Sequence, residues 1–337
     1  MPPSESVPRM IIVTGGAGFI GSNLVAALEK RGERDVVVVD RFGADDKWRN
    51  LAKRSRIDIM PPEGLAELVA LRRHDIRAIF HLGAISTTTE RDVDLILANN
   101  WRLSAALWDL AVRFELRFVY ASSAATYGDG GQGFDDDVSM PALSRLLPLN
   151  PYAWSKHLFD LRVARCLEAG ERTPRQWAGL KFFNVFGPNE GHKGGQMSVV
   201  PQFHRQILAN GAPKLFRSYR PDYPDGGQTR DFIHVDDAVA VMLWLLDQPD
   251  VNGLFNVGTG KARSFLDITN AIFATLGRKP EIEFIDMPEG LRDRYQYFTE
   301  ARTDRLRAAG FDRPFTALED GVADYVKRFL AASDPYR

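Results

Sequence analysis

The peptide TGGAGFIG, Thr14 to Gly21, follows a short apolar run, Met10 to Val13, and opens a helical pattern from Phe19 to Arg31. Ile20, Leu24, Ala27 and Leu28 lie on one face of that pattern. A tight strand-to-helix turn favours glycine, because a β-carbon obstructs positive φ and the close approach of a pyrophosphate to the backbone. Gly15, Gly16 and Gly18 meet that need, Gly21 lets helix and strand pack closely, and Phe19 and Ile20 begin the helix whose free N–H groups face the phosphates. The next apolar run, Asp35 to Asp40, holds four valines and closes on an acid, as a dinucleotide-binding unit requires.

Working outward, Ile76 to His81 and Leu116 to Ala121 repeat the strand pattern, with helix-like segments before each. Continuous apolar strands separated by helices predict a parallel sheet covered on both faces. The right-handed crossover then gives an α/β, doubly wound Rossmann fold. We expect a flexible tail over 1–9, a dinucleotide-binding domain over 10–184 with a return near 230–257, and a smaller mixed substrate-binding part over 185–229 and 258–337. Gly128 to Asn150 and Arg217 to Thr229 read as loops, either substrate-covering or disordered.

Composition narrows the function. The 337-residue chain carries a formal net charge of −1 with its basic residues scattered, which argues against nucleic acid as a partner. Its single cysteine, Cys166, excludes an internal disulfide framework and a multi-cysteine zinc site. Ala238 to Leu246 is too short to span a membrane, and Met1 to Arg9 lacks the apolar core of a signal peptide. The expectation is a cytoplasmic protein with no membrane partner and no metal; His192 and His204 lack a neighbouring ligand cluster.

Asp40 suits the ribose 2′-hydroxyl of NAD, whereas Arg41, helped by Lys47, suits the 2′-phosphate of NADP. Either cation is also an ordinary solvated loop charge, so the residues leave the two cofactors open. Tyr152 and Lys156 stand four apart in NPYAWSKHLFD, hence on one helix face. A phenol of pKa ~10 is scarcely ionised at pH 7; a lysine charge ~4 Å away at an effective dielectric of ~20 favours phenolate by up to roughly 4 kcal/mol. Tyr152 then serves as general acid and base. Upstream, YASSAATYG places Ser122 and Ser123 at a strand end, where a hydroxyl either bridges to a substrate oxygen or caps a turn.

These residues resemble the extended short-chain dehydrogenase/reductases, as do RDFIHVDDA (Arg230 to Ala238) and FNVGTG (Phe255 to Gly260). Within that superfamily STTTE (Ser86 to Glu90), YASSAATYG (Tyr120 to Gly128), FNVFGPNEGHKG (Phe183 to Gly194), RYQYFTEA (Arg294 to Ala301) and LRAAGFDRPF (Leu306 to Phe315) are similar to the ADP-L-glycero-D-manno-heptose 6-epimerases. The resemblance implies Tyr152 as one acid/base, Lys156 as its cofactor-binding partner, Lys193 as a second acid/base also close to the cofactor, and Ser123 beside the reacting carbon. It implies Leu82, Gly83, Ala84, Ser86, Asn99 and Val185 along the cofactor, and Asn184, His204, Phe216, Arg230 and Tyr295 on the sugar nucleotide. It further implies tightly bound NADP, with NAD the alternative, an ADP-heptose substrate, and a homo-oligomer, a pentamer.

The chain departs from the pattern after Lys193, where GGQMSVVPQFH is about two residues longer and Gly195 or Gln196 replaces an expected serine. The loop from Arg217 to Thr229 is also long. A UDP-hexose 4-epimerase shares the scaffold but needs no Lys193; a 4,6-dehydratase needs an Asp–Glu pair that SSAATYG lacks. A non-catalytic NAD(P)-sensing regulator has no use for an intact Ser123, Tyr152 and Lys156.

Overall fold

A computed structural model describes residues 9–292 and 295–337. Residues 1–8 of the tail expected over 1–9, and Arg294, which opens RYQYFTEA, lie outside the described residues.

Seven parallel strands form the main sheet: β1 (Met10–Thr14), β2 (Val36–Val39), β3 (Ile57–Met60), β4 (Ile76–His81), β5 (Arg117–Ser123), β6 (Gln176–Phe182) and β10 (Gly253–Val257), in the order β10-β6-β5-β4-β1-β2-β3. Consecutive side chains on a strand face opposite ways. Ile11, Val13, Val36 and Val38 accordingly join one core cluster, and Met10, Ile12, Val37 and Val39 the other. Two apolar faces explain why these strands read as unbroken apolar runs; each buried valine contributes roughly 1.5–3 kcal/mol. Helices cover both faces, with Phe19–Lys30 packing beside Val235–Asp247 on one of them.

Past β6 the chain builds two small sheets. β7 (Asn184–Phe186) runs parallel to β9 (Thr229–His234), which pairs antiparallel with β11 (Ala262–Ser264). β8 (Lys214–Phe216) runs parallel to β12 (Glu283–Ile285). The doubly wound sheet with a smaller mixed part is thus the observed fold.

Neither long loop is loosely attached. In the first, Met140–Leu143 forms a short helix, Phe134 packs between Tyr127 and Phe183, and the Asp136 carboxylate accepts from the Asn256 amide. In the second, the Tyr297 hydroxyl accepts from the Tyr219 amide, and Arg220 stacks over Tyr223 and Tyr297. No helix among the described residues is long and apolar enough to cross a membrane.

Candidate active site

Strand order reverses between β1 and β4, and in doubly wound sheets the ligand crevice lies beyond the strand ends at such a point. Gly15 follows β1 with φ +66°, and a β-carbon on it would meet the Gly83 backbone, just past β4, at 2.6 Å. A β-carbon on Gly21 would sit 2.1 Å from the Gly15 carbonyl oxygen, so helix and loop touch through bare backbone. Gly16 packs inward against Val13 and Val38, and Gly18 caps the helix beginning at Phe19. His81 is buried, bonded to Thr14 at 2.7 Å and to Ser104 at 2.8 Å; burial pushes its pKa down to about 3, so it ties β1 to β4 as a neutral ring.

Two adjoining clefts open here. The first, of about 380 Å³, is lined by the glycine loop, Leu82, Gly83, Ala84, Ser86, Ser123, Tyr152, Lys156, Val185 and Lys193. The second shares Gly15, Asp40, Lys47, Gly83 and Ala84 with it and adds Arg41 and Asn99. At their junction Asp40 is fully engaged: Oδ2 accepts from the Ala17 amide at 2.9 Å, and Oδ1 from Lys47 Nζ and the Arg41 amide at 2.8 Å each. The Arg41 guanidinium pairs with Glu63 and donates to Asn99 Oδ1. The backbone cradle, the helix N-terminus and this charged end fit a dinucleotide.

The helix Pro151–Glu168 starts under an Asn150 cap, whose side chain accepts from the Ala153 amide at 2.9 Å, with Pro151 in its first turn. That fixes where Tyr152 and Lys156 enter the first cleft. Both strand-end serines border the cleft, but the Ser122 hydroxyl donates to Asp160 whereas the Ser123 hydroxyl caps the turn at Ala125.

The electrostatics differ from the sequence expectation. Burial raises the Tyr152 phenol above its ordinary value, with the Ser123 hydroxyl opposing, and burial pushes Lys156 down to about 8, with Asp160 opposing. Sequence reasoning counted the lysine's attraction but not the desolvation of both groups; here the ammonium donates to the Ala121 carbonyl at 2.8 Å. Lys193 lies 5.5 Å over the Phe19 ring, and burial lowers its pKa against the pull of Glu190.

The expected sugar-nucleotide residues lie outside the two clefts. Arg230 stacks 5.2 Å over Tyr295, whose ring meets Phe216 edge-on at 6.2 Å. His204 is buried, with no hydrogen-bond partner for Nε2 among the described residues, and Asn184 is exposed at the start of β7. Gln196 Oε1 accepts from Thr88 at 3.5 Å, joining the extended loop to the STTTE segment. Sequence reasoning missed Asn50, which is buried and donates to the Ala17 carbonyl at 2.9 Å while its Nδ2 also lies 3.1 Å from His192 Nδ1. It couples the glycine loop to the neighbour of Lys193, and nothing in WRNL marks it. Among the described residues no group of three or more His, Cys, Asp or Glu is placed to hold a metal.

The family model described as NAD dependent epimerase/dehydratase family matches residues 11–258. The ADP-L-glycero-D-manno-heptose-6-epimerase of Nitratidesulfovibrio vulgaris (strain DP4) is 51% identical over 332 residues, 97% of this chain and 100% of that protein. The Fusobacterium nucleatum protein of the same name is 43% identical over 335 residues, again 97% and 100%. The crystal structure of the Helicobacter pylori ADP-L-glycero-D-manno-heptose-6-epimerase, 26% identical, aligns with a TM-score of 0.77 over 98% of this chain and 99% of that one. A match of this breadth, on a fold and cleft built for a nicotinamide dinucleotide, places the chain in the NAD dependent epimerase/dehydratase family and, within it, among the ADP-L-glycero-D-manno-heptose-6-epimerases.

Proposed function

We propose that the enzyme inverts C6 of the heptose in ADP-D-glycero-D-manno-heptose, giving ADP-L-glycero-D-manno-heptose without net oxidation. One observation carries this reading: Tyr152, Lys156, Ser123 and Lys193 line the same cleft as the glycine loop. C6 of the heptose is not acidic, so direct proton abstraction is unfavourable and a transient ketone is the accessible route. A nicotinamide dinucleotide held by the glycine loop, Asp40 and Lys156 would supply reversible hydride acceptance there. Tyr152 takes the proton of the C6 hydroxyl as the carbonyl forms, and Ser123 holds the oxygen. Lys156 holds charge beside the phenol. Lys193 serves the second orientation of C6. Arg230, Tyr295, Phe216, His204 and Asn184 bind the rest of the sugar nucleotide.

The test is incubation with ADP-D-glycero-D-manno-heptose followed by NMR of the C6 configuration. We expect conversion to an equilibrium mixture of the two epimers; no conversion, together with turnover of UDP-galactose, overturns the reading in favour of a UDP-hexose 4-epimerase.

We further propose NADP as the tightly held cofactor. Lys47 balances the charge of Asp40, and Arg41 stands at the rim of the second cleft, braced by Glu63 and Asn99. Arg41→Ala should weaken NADP about tenfold more than NAD, the scale of one charge-assisted phosphate contact at an exposed site. Equal losses in a binding titration return Arg41 to a solvated loop charge.

A further inference from the structure

Beneath the cleft floor, Lys181 on β6 donates to Asp160 Oδ2 at 2.8 Å, and both side chains are wholly buried. Lys181 also donates to Thr126 at 2.6 Å and lies 4.8 Å over the Tyr127 ring. Asp160 accepts from Ser122 at 2.7 Å and from the Tyr120 hydroxyl at 3.2 Å. A buried ion pair is rarely better for stability than an apolar pair of the same volume, so stability alone does not account for it. Its location offers another explanation. Asp160 stands one turn beyond Lys156 and two beyond Tyr152, on the same face of the helix. Along β5 the contacts run in step: Ala121 receives Lys156, Ser122 receives Asp160, and Ser123 lines the cleft with Tyr152. In the sheet Lys181 lies directly opposite Ser122.

We propose that Lys181 is a positioning residue: it claims the Asp160 carboxylate and so leaves the Lys156 ammonium on the Ala121 carbonyl, facing Tyr152. This rests on Tyr152 and Lys156 acting as the acid–base pair. Without Lys181, the nearest unbalanced charge to Lys156 is a buried carboxylate on its own helix. The titratable groups around Lys156 and the Asp160–Lys181 pair are Tyr152 and His157 from the helix, His81 from β4, Tyr120 from β5, Tyr127 from the following turn, and Lys193 across the cleft. Burial brings Lys156 to about 8 while Asp160 pulls it up. Its charge is therefore present below that pH and lost above it, which sets an alkaline limb on kcat.

The experiment is the pH profile of kcat for three variants. Lys181→Met leaves Asp160 unbalanced and should move the alkaline limb up by about one pH unit; Asp160→Asn should move it down by a similar amount. The double variant, which removes both charges and preserves packing best, should fall between them. Where turnover is too low, NMR titration of Lys156 in protein carrying ¹³Cε-lysine reads the same shifts. Limbs that stay in place, or that move the same way in both single variants, overturn the proposal and leave the pair structural. Tyr152→Phe assayed alongside separates the two failures: near-full turnover there removes the acid–base reading itself, whereas loss of turnover with unmoved limbs removes only the role of Lys181.

Discussion

Tyr152→Phe is expected to lower turnover ~10²–10⁴-fold, the range for removing a positioned acid/base. The change deletes one oxygen and keeps the ring, and Asn150 and Pro151 still set the start of the helix, so fold and cofactor content should be unaltered. Circular dichroism and the nicotinamide released on denaturation check that, and steady-state epimerisation gives the loss. Because burial holds the phenol above its ordinary pKa, the group is neutral at pH 7 and its deprotonated form is scarce. Turnover limited by that form rises with pH until Lys156 discharges. A loss of less than tenfold means that another group moves the proton.

Lys193→Met is expected to impair epimerisation as severely, with only a modest loss of substrate affinity. If C6 presents itself in two orientations, its hydroxyl proton leaves toward different sides in the two half-reactions. One base cannot lie within ~3 Å of both positions unless the whole substrate is relocated. Lys193 lines the cleft with Tyr152 but comes from the segment after β7, whereas Tyr152 comes from the helix behind β5. Burial already weakens its hold on a proton, as a lysine acting as a base requires. The two single variants should also differ in which half-reaction survives. A 6-aldehyde analogue, one molecule oxidised as another is reduced, distinguishes them. Near-normal epimerase turnover in Lys193→Met defeats the two-base reading and leaves Lys193 a cofactor or phosphate contact.

Four strands of the main sheet, β1, β2, β4 and β5, were legible because they bury both faces: VVVV at 36–39 and IRAIFH at 76–81 leave little else to read, whereas β6, QWAGLKF, hides its strand among Gln176, Gly179 and Lys181. β3 was not, since IDIM is a short edge strand with Ile59 half exposed, and an edge lacks a second apolar face to mark it. TGGAGFIG placed the dinucleotide cradle through backbone sterics that are local in sequence. That Tyr152 and Lys156 share one cleft was legible from helical spacing, but their protonation was not, because desolvation depends on neighbours from other elements such as Ala121 and Ser123. Asn50 and Lys181 were invisible for the same reason: each acts through a tertiary contact that no spacing announces. Lys193 was singled out only through the family pattern, since a lysine among glycines reads locally as a solvated loop charge.

The return of β10 to the edge of the main sheet has a consequence for how the chain assembles. β6 gains its outer neighbour only when Gly253–Val257 arrives, after the segments carrying β7, β8 and β9 have been laid down. Until then a strand that is wholly buried in the finished sheet presents an open row of backbone donors and acceptors, the kind of edge that recruits other chains. A chain halted ahead of Gly253 therefore lacks one edge of its main sheet and is expected to aggregate rather than to fold as a smaller version of the enzyme.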